Sequence, residues 1–425
     1  MPALQLPIIQ NWSCHNCGGC CHQHLIELSA EDEQRIRAQN WSDSEEIPDG
    51  QSIIVPLTRR PWNRRFRLAH QPNGACVFLR DDGLCRIHAR FGEAAKPRAC
   101  RIYPYVFHPA GKHVTASLRF SCPSIVSNLG ETLRNQQEEI GRTAQLVIPE
   151  GIENDAPPAL SGKQKLDWPD LLRIVRRIDD CLDQPRPIEE NLRHVLRWLN
   201  LIEEADLDRI QGGNHLDELL HLIIEATREP EAAPASLRPP DRMVARLFRQ
   251  LAAVYARRDT IGDMQQKGMG RLKLLGAALR FALGTGLLPT FQEGQKSIPF
   301  ARLEEPLALP IESDERLRRL LRVKVQGLHF CGRGYYGVPL IEGFVSLALE
   351  YVAINWMARW LACSADAPTI RLADLERAIA IVDHHHGFSP ALGGLSARTR
   401  VRILRQLQGI DPLIRWYGAS GSERG

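Results

Sequence analysis

The sequence predicts an α+β chain that is predominantly α, with a small, irregular, cysteine-rich segment containing short strands followed by a larger helical region. Three observations carry this. Eight of the eleven cysteines fall within the first 122 residues. Apolar residues recur at spacings of three and four through most of the chain beyond about residue 165. Between these parts lies IPEGIENDAPPALSGKQ, residues 148–164, whose Pro, Gly, Asn and Asp content marks the principal domain boundary.

Within the first part, LSAEDEQRIRAQN reads as a helix opened by Ser29, with Asp32 at the spacing of a capping box. SIIVPL and RFRLAH are strand candidates that can pair with each other. RIYPYVF and HVTASLRF form a second candidate pair across the turn HPAGK. In the second part, DWPDLLRIVRRIDDCL, PIEENLRHVLRWLNLI and HLDELLHLIIEATRE each show a helical apolar face. A second linker, EPEAAPASLRPP, spans residues 229–240, and DRMVARLFRQLAAVYARR and GRLKLLGAALRFAL continue the helical pattern. A last helical group begins at about Asp314. The resulting division is residues 1–150, 165–313 and 314–425, a number of units in keeping with a chain of 425 residues.

The composition, 44% apolar and 24% charged, is that of a globular protein. The N-terminus lacks the basic and apolar regions of a secretory signal, so a cytoplasmic location is expected. The apolar run at 344–363 approaches membrane-spanning length but carries Glu350 and Arg359, which predicts a buried helix instead. The net charge of +4 implies no obligate polyanionic partner. Residues 51–120 nevertheless hold thirteen Lys or Arg against three acidic residues. The basic stretch at 59–67, with Trp62 and Phe66 interleaved, resembles a nucleic-acid surface. The plainer account is that arginines such as Arg86, Arg98 and Arg101 balance negative charge on nearby thiolates, so no nucleic-acid partner is expected.

That negative charge comes from the cysteines. In a reducing compartment an odd set of eleven thiols points to metal ligation more readily than to disulfides. SCHNCGGCCHQH places Cys14, Cys17, Cys20 and Cys21 in a C-x2-C-x2-C-C run, with Gly18 and Gly19 supplying the backbone freedom to wrap a cation. Successive side chains diverge, so Cys20 and Cys21 are expected to play different roles. Cys76, Cys85, Cys100 and Cys122 complete an eight-thiol candidate set, and His15, His22, His24 or His88 could replace a thiol. Eight thiols suffice for two tetrahedral zinc sites, or for an iron-sulfur cluster such as 4Fe-4S with cysteines to spare. Cys181, Cys331 and Cys363 read as buried small hydrophobes.

The combination of C-x2-C-x2-C-C with Cys76 before Phe78-Leu79, DGLCRIH at 82–88 and KPRACRIYP at 96–104 resembles the YkgJ-type cysteine-cluster family. The resemblance covers roughly residues 10 to 125 and implies a zinc- or iron-chelating domain. Longer chains of this group resemble the flagellin lysine-N-methylase family, with a cysteine-rich N-terminus joined to a helical remainder. Residues 319–362 are similar in character to the later helices of that family, a softer match. Such a resemblance implies a protein lysine N-methyltransferase that uses S-adenosylmethionine on flagellin-like lysines. A third possibility is an interaction protein whose metal is purely structural.

Other motifs carry no chemistry by themselves. Gly284-Thr285-Gly286 follows a helical pattern, not a strand, and reads as a helix stop instead of a cofactor loop. Asp383-His384-His385-His386-Gly387 reads as an exposed helix end. No residue can be assigned to catalysis or to cofactor binding by motif.

Overall fold

Ser29 opens the first long helix as its spacing predicts. Its hydroxyl accepts from the Asp32 backbone N–H at 3.1 Å, capping Ala30–Arg37. The reciprocal half of the box is absent, because buried Asp32 instead receives Arg35 at 2.9 Å and the Arg98 backbone N–H at 3.1 Å. The computed structural model describes residues 3–41, 47, 51–57, 65–162, 164–207, 210, 212–228, 237–256, 276, 279–288, 296–305 and 307–418. It is an α+β fold, mainly α, with two small sheets in its N-terminal part.

The strands are β1 (Ala3–Gln5), β2 (Glu27–Leu28), β3 (Ile54–Pro56), β4 (Phe66–Leu68), β5 (Tyr105–Ala110) and β6 (His113–Leu118). Both expected pairs form, β3 with β4 and β5 with β6, each antiparallel. The second hairpin turns later than HPAGK suggested. His108, Pro109 and Ala110 belong to β5, and the reversal falls on Gly111, whose φ of +68° suits a residue without Cβ. Two long-range partners complete the sheets. β1 joins β6 in parallel, giving the order β1-β6-β5, and β2 joins β4, giving β2-β4-β3.

The helices follow the apolar periodicity. Asp167 caps Trp168–Leu182, which buries Leu171, Ile174, Val175, Ile178 and Leu182 along one face. Ile188–Glu204, Gly213–Ala226 and Arg242–Ala256 match the next three predictions. The linker at 229–240 and the segment at 270–283 fall largely outside the described residues. Where that helix ends, Gly284 takes a φ of +66° and its N–H reaches the Arg280 carbonyl at 2.8 Å, the helix stop expected there. Residues 148–162 are pinned to the body: the Ala159 and Leu160 carbonyls accept from the Leu340 and Ile341 N–H groups at 2.8 and 3.0 Å.

The helix Leu340–Ser364 forms the centre. It packs against Ile188–Glu204, Phe300–Glu304, Leu372–His385 and Ile410–Gly418. Every one of its residues except Glu342 is buried, so its apolar character is spent on a protein core. Trp356 and Trp360 are fully enclosed, and each buried aliphatic or aromatic side chain of this kind stabilises by about 1.5–3 kcal/mol. Cys181, Cys331 and Cys363 are buried, as expected.

Two apolar cores result. The smaller gathers Leu28, Ile36, Trp41, Leu68, Val77, Phe78 and Ile87. The larger begins at Tyr105 and runs to Tyr417, so β5, β6 and the short helix Pro123–Val126 pack with the helical body.

One expectation is overturned. Residues 383–387 are not an exposed helix end: Asp383 and His386 have no accessible surface. The Asp383 carboxylate accepts the Ser121 backbone N–H at 2.7 Å, and the central helix covers the other side. The covering chain lies 262 residues away, which a local pattern cannot register.

Candidate metal centre

The loop that carries the first four cysteines is shaped by two positive-φ residues, Asn16 at +51° and Gly18 at +65°, before the short helix Gly19–Gln23. It lies against the turn between Cys76 and Cys85. The Cys21 carbonyl accepts from the Cys76 N–H at 2.9 Å, and Leu79 and Cys85 form an isolated bridge. Gly83 makes the closest approach. Its φ is +79°, and a Cβ there would stand 2.0 Å from the Asn16 carbonyl oxygen. Gly83→Ala is therefore expected to destabilise the protein by more than about 1 kcal/mol, seen as a lower midpoint in chemical denaturation.

The remaining thiols are set by helix starts. Cys85 precedes Arg86–Phe91, Cys100 lies inside Arg98–Ile102, and Cys122 precedes Pro123–Val126. The structure sorts the eight candidates spatially. Cys21 feels Cys20, Cys76 and Cys100, Cys76 feels Cys85 and Cys20, and Cys100 feels Cys76, Cys85 and Cys20. Cys17 faces Cys122, whose thiol burial pushes up. Cys14 is exposed, with its sulfur 3.7 Å from Asn16 Oδ1. Tyr103 spans the two groups, feeling both Cys122 and Cys20.

The adjacent pair is joined by a hydrogen bond between its side chains instead of diverging. A hydrogen bond with Cys21 brings the Cys20 thiol down to about 7, against the opposing effect of burial and with help from Lys96. The same hydrogen bond holds the Cys21 proton firmly in place, reinforced by burial and by repulsion from Cys20, Cys76 and Cys100. Burial pushes Cys76 up to about 12, and burial followed by Cys76 and Cys85 raises Cys100 far above the usual thiol range. Several thiols thus crowd together while their ionisation is opposed by desolvation and by each other. A divalent cation would supply the missing countercharge, and soft thiolates suit zinc and iron. Among the described residues no group of three or more His, Cys, Asp or Glu side chains stands so as to hold a metal ion, so a metal would need the thiols to reorient as well as to lose protons. The donor chemistry fits a thiophilic metal such as zinc or iron.

Residues 13–123 match the CxxCxxCC family model, whose description reads "Putative zinc- or iron-chelating domain". The CxxCxxCC match takes in all eight candidate thiols and none of the three buried cysteines beyond them. The chain is also 24% identical over 110 residues to the flagellar biosynthetic protein FliU of Salmonella muenchen, a match covering 26% of this chain. The aligned part spans 64% of the length of that relative. No solved structure matches the chain.

The positive charge around the CxxCxxCC thiols differs in detail from the sequence expectation. Arg86 does favour the Cys76 thiolate, while its guanidinium donates to the Leu79 carbonyl at 2.7 Å. Lys96, not singled out by sequence, serves Cys20 and Cys100, whereas Arg98 acts on Glu31. Of the basic stretch at 59–67, residues 59–64 lie outside the described residues. Arg65 pairs with Glu27, and Arg67 is buried against the Leu68 carbonyl and His70. Among the histidines, His22 and His88 are exposed. His15 Nδ1 lies 2.7 Å from the Ser13 carbonyl. His24 packs between Tyr103 and His384, at 4.8 and 4.9 Å between ring centres, where the cysteine segment meets the helical body.

Proposed function

We propose that the chain binds zinc or iron through thiolates drawn from Cys20, Cys21, Cys76, Cys85 and Cys100, with Cys17 and Cys122 as a neighbouring pair and Cys14 at the outer edge of the loop. The observation that carries this is that Cys21, Cys76 and Cys100 each feel repulsion from other thiols of the set, Cys20 and Cys85 among them. A bound metal would link the 14–21 loop, the 76–85 turn and the Cys100 helix, and would add redox capacity if it is an iron-sulfur cluster. Metal analysis and an absorption spectrum of anaerobically purified protein test the proposal. Stoichiometric metal is expected, colourless for zinc and with visible charge-transfer bands for iron-sulfur. Metal-free protein that takes up neither ion would sink it. Because Cys76 and Cys100 must lose protons that burial holds on them, affinity is expected to strengthen as pH rises and protons to be released on binding.

A second reading is an S-adenosylmethionine-dependent protein lysine N-methyltransferase acting on flagellin-like lysines. The similarity to FliU, a flagellar biosynthetic protein by name, favours it. Calorimetric titration of S-adenosylmethionine into metal-loaded protein is the direct test, and an absence of binding heat across several temperatures argues against it.

A further inference from the structure

A cleft in the helical body carries more positive charge than its own carboxylates offset. It opens where the end of Trp168–Leu182 and the turn at 183–187 meet the helices Ile188–Glu204 and Gly213–Ala226. Its volume is about 140 Å³, close to the roughly 150 Å³ that admits benzene in an engineered cavity. Arg177, Arg186 and Arg228 line it, against Asp180 and Glu225. Arg228 is already satisfied, with Nη1 at 3.1 and 2.9 Å from the two Glu225 carboxylate oxygens. Arg177 is not, since Asp180 and Asp217 both stay 3.8 Å away, beyond hydrogen-bonding distance. Arg186 pairs with no carboxylate among the described residues, and its guanidinium donates instead to His194 Nδ1 at 3.3 Å.

Arg186 follows the C-terminus of Trp168–Leu182, where a cation is favourable. Its guanidinium is not needed to satisfy that helix end. The Gln184 carbonyl accepts from Arg318 at 2.7 Å and from Asn191 at 2.8 Å, and the Leu182 carbonyl accepts from the same two side chains. His194 holds Arg186 in the cleft. The ring is buried, and its Nε2 donates to the Ile224 carbonyl at 3.0 Å, which leaves Nδ1 as the acceptor for Arg186. Burial lowers the His194 pKa against the pull of the Ile224 hydrogen bond, and Arg186, Arg197 and Arg228 act in the same direction as burial. The imidazole is therefore neutral. Anchored to the next helix, it presents an unpaired guanidinium to an open space of small-ligand size.

We propose that this cleft is a second binding site, separate from the cysteines, for a phosphate dianion, free or carried by a small molecule. Arg186 is its principal ligand, Arg177 a second, and His194 the residue that positions Arg186. A guanidinium offers a planar fork that fits two phosphate oxygens, and His194 occupies only one of the Arg186 N–H groups. Arg177 can turn from its distant carboxylates towards an anion without breaking a close hydrogen bond. Asp180 and Glu225 are exposed at the rim and work against an anion, but Arg228 offsets the second of them. With two arginines to satisfy, a dianion gains more than a carboxylate does, which favours phosphate.

The test is calorimetric titration of inorganic phosphate and of phenyl phosphate into the full chain as purified, in a buffer free of phosphate and sulfate. Saturable binding is expected. Equal affinity for the two probes assigns the site to the free anion, and tighter binding of phenyl phosphate assigns it to a phosphate carried by a small molecule. Arg186→Gln is expected to weaken binding by at least about tenfold. Arg246→Gln, which removes an exposed charge on Arg242–Ala256, is expected to leave it unchanged. If far-ultraviolet circular dichroism shows that Arg186→Gln is misfolded, Arg177→Gln takes its place in the comparison. His194→Leu frees the guanidinium and is expected to weaken binding, and His194→Gln, whose amide can bridge Arg186 and Ile224, to restore it. Absence of saturation with both probes, or an equal loss in the cleft variant and in Arg246→Gln, overturns the site. His194→Leu binding like the parent, or His194→Gln binding no better than His194→Leu, overturns the positioning role.

Discussion

Serine in place of Cys100 is expected to abolish stoichiometric metal binding, while serine in place of Cys14 leaves most of it intact. Both residues belong to the same eight-thiol set by sequence, and only their surroundings separate them. Cys100 is held protonated by burial and by repulsion from Cys76, Cys85 and Cys20, which a shared cation would relieve. Cys14 is exposed beside Asn16. Loss of an outer-shell partner typically costs about 10–100-fold in metal affinity, so loss of a ligand at Cys100 is expected to exceed that range. If the metal binding energy is also folding energy, the Cys100→Ser protein melts earlier than metal-loaded wild type and matches the metal-free wild type. Equal metal content in the two serine variants would remove the spatial sorting on which the proposed ligand set rests.

Lys324→Met is expected to be the most damaging single change in the helical body. It leaves Glu350 and Asp383 buried together without their shared cation, a loss of about 3–5 kcal/mol. Equilibrium denaturation should show it as a large fall in midpoint with little change in slope. The pH dependence has a definite sign. Glu350 rises from 4.5 to about 7 on folding, so the folded state holds the extra proton and the contribution of this group is fully present below pH 4.5. It is lost as pH rises towards about 7. Removing Lys324 strips away an effect that lowers the Glu350 value, so the deficit in Lys324→Met is expected to shrink in acid and grow towards alkaline pH. A deficit that is constant with pH would mean that the lysine acts through packing alone.

Much of the local structure was legible because its causes are local. Ser29 announces a helix start by its side-chain oxygen, Gly284 ends a helix through its positive φ, and turn signals separate the strand candidates that pair. Cys14, Cys17, Cys20 and Cys21 were legible as one group by spacing, since short intervals keep them on one loop. The proposed division of the eight thiols was not, because it follows from where distant helix starts come to rest. Glu350 was visible as a charge inside an apolar run and argued correctly for a buried helix. Its partners were hidden, since Lys324 lies 26 residues before it and Asp383 arrives from another helix. The same physics misled the histidine stretch. A run of polar residues before a glycine looks like a helix end in water until a remote strand end covers it.

The short helix after Cys122 has a bearing on how this protein could be divided or recombined. The Arg319 guanidinium donates to the Ile125 carbonyl at 2.8 Å and the Val126 carbonyl at 2.5 Å, and to Gln10 Oε1 at 2.9 Å. Asp383 holds the Ser121 N–H on the other side. A cut placed just past residue 123, where the family match stops, would take the Gln10 contact from buried Arg319 and the Ser121 N–H from buried Asp383, and would open the large core. The cysteine segment is consequently not interchangeable cargo. Any graft of it onto a foreign scaffold would have to bring an arginine and an aspartate along, and protease nicking between the two parts would leave them clasped.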